Sequence, residues 1–274
     1  MKELSILSNP NKIHLFKKPF PHLIIDNALP AHIAKELTDS FPLHLFDLSK
    51  NNQRIDISAS EVIKNADIPK LWKQFIEYHS SHKFFIEVIN AFESCLQEDA
   101  FNKYINCSSG VRGIDHHSKS KEILLDAQIS VNTPVQHSTS VRNAHVDNSN
   151  KLFSGLFYLR KADDQSVGGD LDICGWQDGY SENKKIKFYK EGIDKKHINH
   201  FKRISYGNNI AVIFLNSLDS VHLVTERQIT RHSRCFVNLV GEMEGDLFTK
   251  PSSRKDKIFQ IKSKAKQWLI KLRQ

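Results

Sequence analysis

Hydrophobic positions recur with two different periods along this chain, and the change falls near Gly110. Ahead of it, Ile33, Leu37 and Phe41 follow Pro30 at helical spacing, and proline is favoured in a first helical turn. The stretch from Ile68 to about Ala100 keeps that period. Trp72, Phe75 and Ile76, then Phe85, Val88, Ile89, Phe92 and Leu96, mark two apolar faces, with a break expected near Ser80 and Ser81. Short strands are expected at His22–Asp26 and Arg54–Ser58. The helices read as buttresses packed against the outside of a sheet.

Beyond the change the period is two. Leu125, Ala127, Ile129 and Val131 alternate with Asp126, Gln128, Ser130 and Asn132, which predicts a half-buried strand with one polar face. Further strands are expected at Lys151–Arg160, Leu171–Cys174, Ile186–Tyr189, Ile210–Leu215 and Cys235–Gly241. Turn signals separate them at Gly168-Gly169, Asp178-Gly179 and Gly207-Asn208-Asn209. Short strands with no helical pattern between them argue for an antiparallel sandwich or barrel, so the expected class is α+β. We expect one domain over residues 1–249, helical over 20–105 and β over about 122–243, followed by a separate tail at 250–274.

Composition narrows the field. Hydrophobic residues make up 39% and charged residues 26% of the 274, as in an ordinary globular protein. No apolar run approaches the ~20 residues that cross a bilayer, and the polar start MKELSILSNPNKIHLF does not read as a secretory signal. Cys95, Cys107, Cys174 and Cys235 are far apart and form no CxxC pair. They read as thiols of a reducing compartment, which makes the cytoplasm the expected address. Residues 250–274 carry nine basic side chains against one acid, which accounts for the whole net charge of +8. A uniformly basic nucleic-acid-binding domain would not distribute charge this way, and no nucleic-acid partner is expected.

The chemistry centres on VRNAHVDNSNKLFSGLFYLR, residues 141–160. His145 and Asp147 are two residues apart, and on an extended chain such residues share a face about 6.5 Å apart. An imidazole and a carboxylate so placed can converge on one metal ion. His222, opening a loop after another apolar strand, is the candidate third ligand. Two histidines and one carboxylate, with other positions open, are the ligand set of non-haem Fe(II) oxygenases. Either histidine alone would more often be an ordinary polar residue, and the adjacent loop pair His116 and His117 reads as solvated.

The order His145-Val146-Asp147, Gly168-Gly169-Asp170-Leu171, Tyr206-Gly207 with Ile213-Phe214, His222, then an arginine opening the last strand resembles the Fe(II)/2-oxoglutarate-dependent oxygenases. The opening PHLIIDNALP is similar to many bacterial members, and the resemblance spans roughly residues 20–243. It implies a double-stranded β-helix (a jelly roll, cupin-like) with N-terminal buttressing helices. It also implies Fe(II), 2-oxoglutarate as cosubstrate and O2, with His145, Asp147 and His222 as catalytic metal ligands. The implied reaction hydroxylates a C–H bond while 2-oxoglutarate is decarboxylated to succinate and CO2. A carboxylate at position 147 favours hydroxylation over halogenation, because no metal position is vacated for chloride.

The far carboxylate of 2-oxoglutarate calls for a planar, bidentate donor, hence arginine. Arg231 lies nine residues after His222, the family's usual spacing, whereas Arg234 lies twelve on and opens the strand RCFVNLVGE. Register favours Arg234, and Arg231 stays open. Gln128, Ser130 and Tyr158 are candidates for the cosubstrate pocket wall, with Tyr158 equally suited to the core. Arg142 and Asn143 are candidates to meet an acidic or polar substrate.

In the tail, Ile258, Ile261, Ala265, Trp268, Leu269 and Leu272 share one helical stripe with lysines opposite. A basic amphipathic C-terminal helix suits an anionic membrane surface, on the inner face of the cytoplasmic membrane, or packing on the barrel. A membrane address would suit a lipid-linked anionic substrate, and hydroxylases of the Kdo sugar of lipopolysaccharide fit by resemblance. A small-molecule substrate, a prolyl or peptidyl hydroxylase, and a non-catalytic jelly-roll module whose tail contacts nucleic acid are the alternatives. The sequence is silent on oligomeric state.

Overall fold

The computed structural model describes residues 2–116 and 121–248. The first half holds β1 (Ile13–Phe16), β2 (His22–Asp26), α1 (Ala31–Asp39), β3 (Arg54–Ile57), α2 (Ala59–Lys64), α3 (Lys70–His79), α4 (His82–Ala91) and α5 (Glu98–Ile105). Then come β4 (Ser109–Val111), β5 (Ile123–Asn132), β6 (Lys151–Leu159), β7 (Leu171–Trp176), α6 (Glu182–Glu191), β8 (Ile198–Ile204), β9 (Asn208–Leu215), β10 (His222–Val224) and β11 (Arg234–Met243). The helix starts follow local chemistry. Pro30 and Pro69 stand at the N-caps of α1 and α3, Ser58 and Glu61 close a capping box on α2, and Ser81 caps α4. The break expected near Ser80–Ser81 is that last cap.

Eight strands form one large sheet in the order β1-β2-β9-β6-β11-β5-β3, with β4 running parallel beside β5 and every other pair antiparallel. A small antiparallel sheet, β10-β7-β8, is continued past β10 by isolated bridges that pair residues 135–145 with 222–230. Strand periodicity sorts the side chains of the large sheet between two faces. Leu125, Ala127, Ile129, Phe153, Phe157, Ala211, Ile213, Val237 and Leu239 meet Trp72, Phe75, Phe85 and Val88 of the helices in one core. The opposite face carries Ile24, Val212 and Phe214, which pack on Leu171, Ile173 and Ile204 of the small sheet. The same face carries the polar side chains of β5 and β11, so the polar residues lie between the sheets.

Two expectations need correction. Residues 186–189 are not a strand but part of α6, and a helix therefore does interrupt the β run. The alternation of Ile186 and Phe188 misled, because the surrounding Glu and Lys residues are good helix formers. Gly192, at φ 85°, ends the helix, and Phe188 stacks on His197 with ring centroids 4.3 Å apart. The strand β5, expected to be half-buried, is buried along its whole length. Its polar face is covered by partners: Arg112 on Asp126 at 2.5 Å, Asn238 on Gln128 at 2.7 Å, and Asp56 accepting from Ser130 at 2.6 Å. His117 and the amphipathic helix expected at 254–274 lie outside the described residues.

Packing and titration each give a testable consequence. Phe75, fully buried against Phe157 at 5.5 Å between centroids, joins α3 to the sheet. Truncation by Phe75→Ala is expected to cost about 3–5 kcal/mol in urea unfolding. His79 is buried with Nδ1–H donating to Phe75 O at 2.8 Å and Nε2 accepting from the Ile6 N–H at 3.3 Å, so the neutral ring satisfies both partners. Burial holds it down at about 3, against 6.5 for an exposed ring, with the Phe75 carbonyl opposing in part. The unfolded chain therefore binds the extra proton. The stability that His79 confers is full above pH 6.5 and is lost as the pH falls toward 3, by up to about 1.4 kcal/mol per pH unit. Unfolding curves at pH 7 and pH 5 check this, and His79→Gln is expected to flatten the dependence.

Candidate metal centre

The backbone sets up the site before any side chain does. His145 and His222 face each other across an isolated antiparallel bridge, each N–H donating to the other's carbonyl at 3.0 Å. Their neighbours fix which way they turn. Ala144, Val146, Val221 and Leu223 are buried in a third core beneath Phe188 and Tyr189 of α6, on the far side of the small sheet. Alternation then points His145, Asp147 and His222 into the space between the sheets. The imidazole and carboxylate ligand atoms lie within 4.8 Å of one another, and the two rings are 4.2 Å apart between centroids.

Each donor is prepared by a second partner. His145 Nδ1 sits 2.7 Å from Asn143 O and His222 Nδ1 sits 2.9 Å from Ser220 O. A ring whose Nδ1–H donates to a carbonyl presents its Nε2 lone pair to a metal. On Asp147, Oδ2 accepts from Ser154 Oγ at 2.6 Å and from Lys151 Nζ at 3.3 Å, while Oδ1 lies 3.6 Å from His145 Nε2. Burial holds His222 down at about 3; the nearby His145 adds to this and Asp147 partly offsets it. Burial by itself would raise the Asp147 carboxyl, but His145, Lys151 and His222 together hold it well below the ordinary value. A neutral imidazole and an ionised carboxylate are the forms that bind metal. The donor set therefore fits a divalent ion such as ferrous iron.

The triad lines a cavity of about 250 Å³ shared with Arg54, Asn132, Arg142, Lys151, Ser154 and Arg234, among others. Arg234 is 2% exposed, and among the described residues it pairs with no carboxylate. It donates to Asn132 Oδ1 at 3.0 Å and Tyr158 Oη at 2.9 Å, with its Nε unpartnered among the described residues. The rings of Tyr158 and Phe236 each lie 4.8 Å from its guanidinium carbon, and Tyr206 lies 5.5 Å away. Gly169 makes room beside it, and Gly168 lies against the Glu226 and Arg227 backbone. A Cβ on Gly168, at φ 85°, would fall 1.8 Å from Glu226 O, and one on Gly169 would fall 3.0 Å from Arg234 Cδ.

The other candidates are distributed unevenly. Arg142 lines the cavity, whereas Asn143 turns to a groove on the outer side of the small sheet. Arg231 is exposed and borders a different depression, with Asp163 and His232. Gln128 and Ser130 occupy the polar face but are engaged by Asn238 and Asp56. Sequence reasoning missed Arg54, Asn132, Lys151 and Ser154. Lys151 and Ser154 follow Asp147 by four and seven residues at the start of a strand, and nothing in their spacing flags them. Arg227 was missed as well. It is fully buried and ties the Asn52 side chain and the Thr133 and His232 carbonyls to the start of β11.

No family model matches the sequence, and no curated protein does. Solved structures match in outline. A prolyl-4-hydroxylase from Pseudomonas putida aligns over 82% of this chain and 93% of its own at 11% identity, TM-score 0.43. A prolyl hydroxylase from Trichoplax adhaerens, in complex with a hypoxia inducible factor peptide fragment, covers 81% and 84% at 13% identity, TM-score 0.40. An oxidoreductase of the 2OG-Fe(II) oxygenase family from Burkholderia pseudomallei covers 82% and 86% at 12% identity, TM-score 0.37. Likeness of this degree carries no argument about chemistry, which rests on the side chains.

Removing the hydroxyl that holds Asp147 Oδ2 tests the centre. Ser154→Ala is expected to weaken divalent-metal binding about 10–100-fold, measured by titration with Mn(II) or Fe(II) without oxygen, while the urea midpoint moves little.

Proposed function

We propose that this protein is an Fe(II)- and 2-oxoglutarate-dependent oxygenase that hydroxylates a substrate C–H bond. The observation that carries the proposal is one cavity holding both the His145–Asp147–His222 donor set and, on β11, a buried guanidinium with no carboxylate partner among the described residues. Ferrous iron held by the triad would supply oxidative decarboxylation of 2-oxoglutarate by O2, giving succinate, CO2 and a hydroxylated product. His145, Asp147 and His222 would hold the ion, as a donor set that leaves other positions for cosubstrate and O2. Arg234, oriented by Asn132 and Tyr158, takes the distal carboxylate of the cosubstrate, and the Tyr158, Tyr206 and Phe236 rings exclude water from that ion pair. The exposure of Arg231 argues against it as the alternative.

The two facing sheets are read here as a double-stranded β-helix, and residues 1–249 as one catalytic unit with 250–274 appended. For the substrate, the cationic lining supports an acidic molecule over a neutral one, and a lipid-linked acidic sugar such as the Kdo of lipopolysaccharide is the named case. No helix among the described residues is long and apolar enough to cross a membrane. Reaching a lipid-linked substrate would therefore fall to peripheral contact, for which the basic tail is the candidate.

The test is succinate release from 2-oxoglutarate. It is expected to require Fe(II) and to disappear in His145→Ala. Arg234→Gln is expected to weaken 2-oxoglutarate binding on the order of 10²-fold while metal binding is kept. Cosubstrate binding that is unchanged in Arg234→Gln would remove the assignment of that arginine.

A further inference from the structure

Charge in the metal cavity does not balance. Its lining carries Arg54, Arg142, Lys151 and Arg234 but a single acid, Asp147. Two of the cations are accounted for: Arg54 pairs with Asp56 at 2.9 Å, and Arg234 is assigned to the cosubstrate. The other two share Asp147. Arg142 Nη1 lies 3.5 Å from Oδ1 and Lys151 Nζ lies 3.3 Å from Oδ2, and among the described residues neither has another carboxylate partner. That one negative charge is also the one a divalent ion at the triad would claim. The Lys151 side chain is only 16% exposed, so solvent screens its charge poorly, whereas that of Arg142 is 48% exposed. A partly buried cation without a counter-charge is costly, so something anionic belongs between them once the metal is bound.

We propose that Arg142 and Lys151 form a second anion site, distinct from Arg234, which holds a carboxylate or phosphate of the primary substrate beside the metal. This rests on the oxygenase assignment and deepens it by naming what the substrate must carry. Arginine offers a planar fork and lysine a point charge, a combination suited to an anionic group with several acceptor oxygens. Leu156, Leu171, Phe214, Val224 and Phe236 supply the apolar wall against which the carbon skeleton would lie. A substrate with a neutral group at this point would leave both cations uncompensated.

The experiment titrates small anions into the full-length protein loaded with Mn(II) and 2-oxoglutarate, after both affinities have been measured on the same sample. Acetate stands for a carboxylate and methylphosphonate for a phosphate, and the tighter of the two names the group. Saturable binding is expected in the wild type, weakened at least tenfold in each of Arg142→Gln and Lys151→Met, and retained in Lys151→Arg. The affinity for 2-oxoglutarate is expected to stay within about twofold in Arg142→Gln and in Lys151→Arg, which separates this site from Arg234 and reports that these variants fold. Absence of binding by either anion, or binding that Arg142→Gln and Lys151→Met leave intact because the metal alone holds the anion, would overturn the proposal. Loss of the oxygenase assignment would show separately and earlier, as failure of the wild type to bind Mn(II) or 2-oxoglutarate at all.

Discussion

The reciprocal backbone hydrogen bonds between His145 and His222 are the constraint on which the rest of the centre depends. Two residues 77 positions apart are brought face to face by main-chain geometry, with 3.0 Å contacts in both directions. Because the pair is made by the backbone, the side chains inherit a fixed separation and a shared face without strain of their own. The apolar neighbours on either side, Ala144, Val146, Val221 and Leu223, anchor the alternation by burial beneath α6. Turning either histidine outward would expose that apolar surface and bury a polar ring against it. Packing on one face of the small sheet therefore orients chemistry on the other.

A second level of order lies behind the donors. Each imidazole spends one nitrogen on a backbone carbonyl, and Asp147 spends one oxygen on Ser154 and Lys151. What remains is a set of ligand atoms gathered at one point, with burial keeping His222 neutral and its cationic neighbours keeping Asp147 ionised. Across the cavity, Arg234 is placed by the opposite strategy: three aromatic rings and two neutral acceptors surround it without neutralising it. Among the described residues this buried guanidinium has no carboxylate partner, and a ligand carboxylate reaching it would have little bound water to displace. The cavity lining as a whole carries four cationic side chains, Arg54, Arg142, Lys151 and Arg234, against the one carboxylate of Asp147.

The large sheet explains how an unremarkable composition accommodates such a site. Its helix-facing residues form a dense apolar core, while the same strands, one residue out of step, carry Asp126, Gln128, Ser130, Asn132, Ser154, Arg234 and Asn238. Burying so many polar groups is tolerated because nearly all are bonded to one another, as in the Arg112–Asp126–Gln128–Asn238 chain. Among the described residues the exceptions include Asn132 Nδ2 and Arg234 Nε, both near the cavity end of β11.

Local pattern determined a good part of this. The strand His22–Asp26, the helix after Pro30, the break at Ser81 and the alternation of β5 follow from short-range sterics, capping and a period of two, all of which a few neighbouring residues express. The convergence of His145, Asp147 and His222 was foreshadowed because imidazole and carboxylate are common metal donors and their order along the chain is informative. Long-range packing decided the rest. Residues 186–189 alternate like a strand, yet they form a helix whose Phe188 and Tyr189 cover the third core. Lys151, Ser154, Asn132 and Arg54 come from separate stretches that converge only when β3, β5 and β6 are aligned beside β11. Between Arg231 and Arg234 the sequence offered a choice of spacing; the register of β11 opposite Asn132 turned one inward and left the other in solvent. Side-chain type and local period are properties of neighbouring residues, whereas burial and charge balance belong to groups that meet only after the chain has folded.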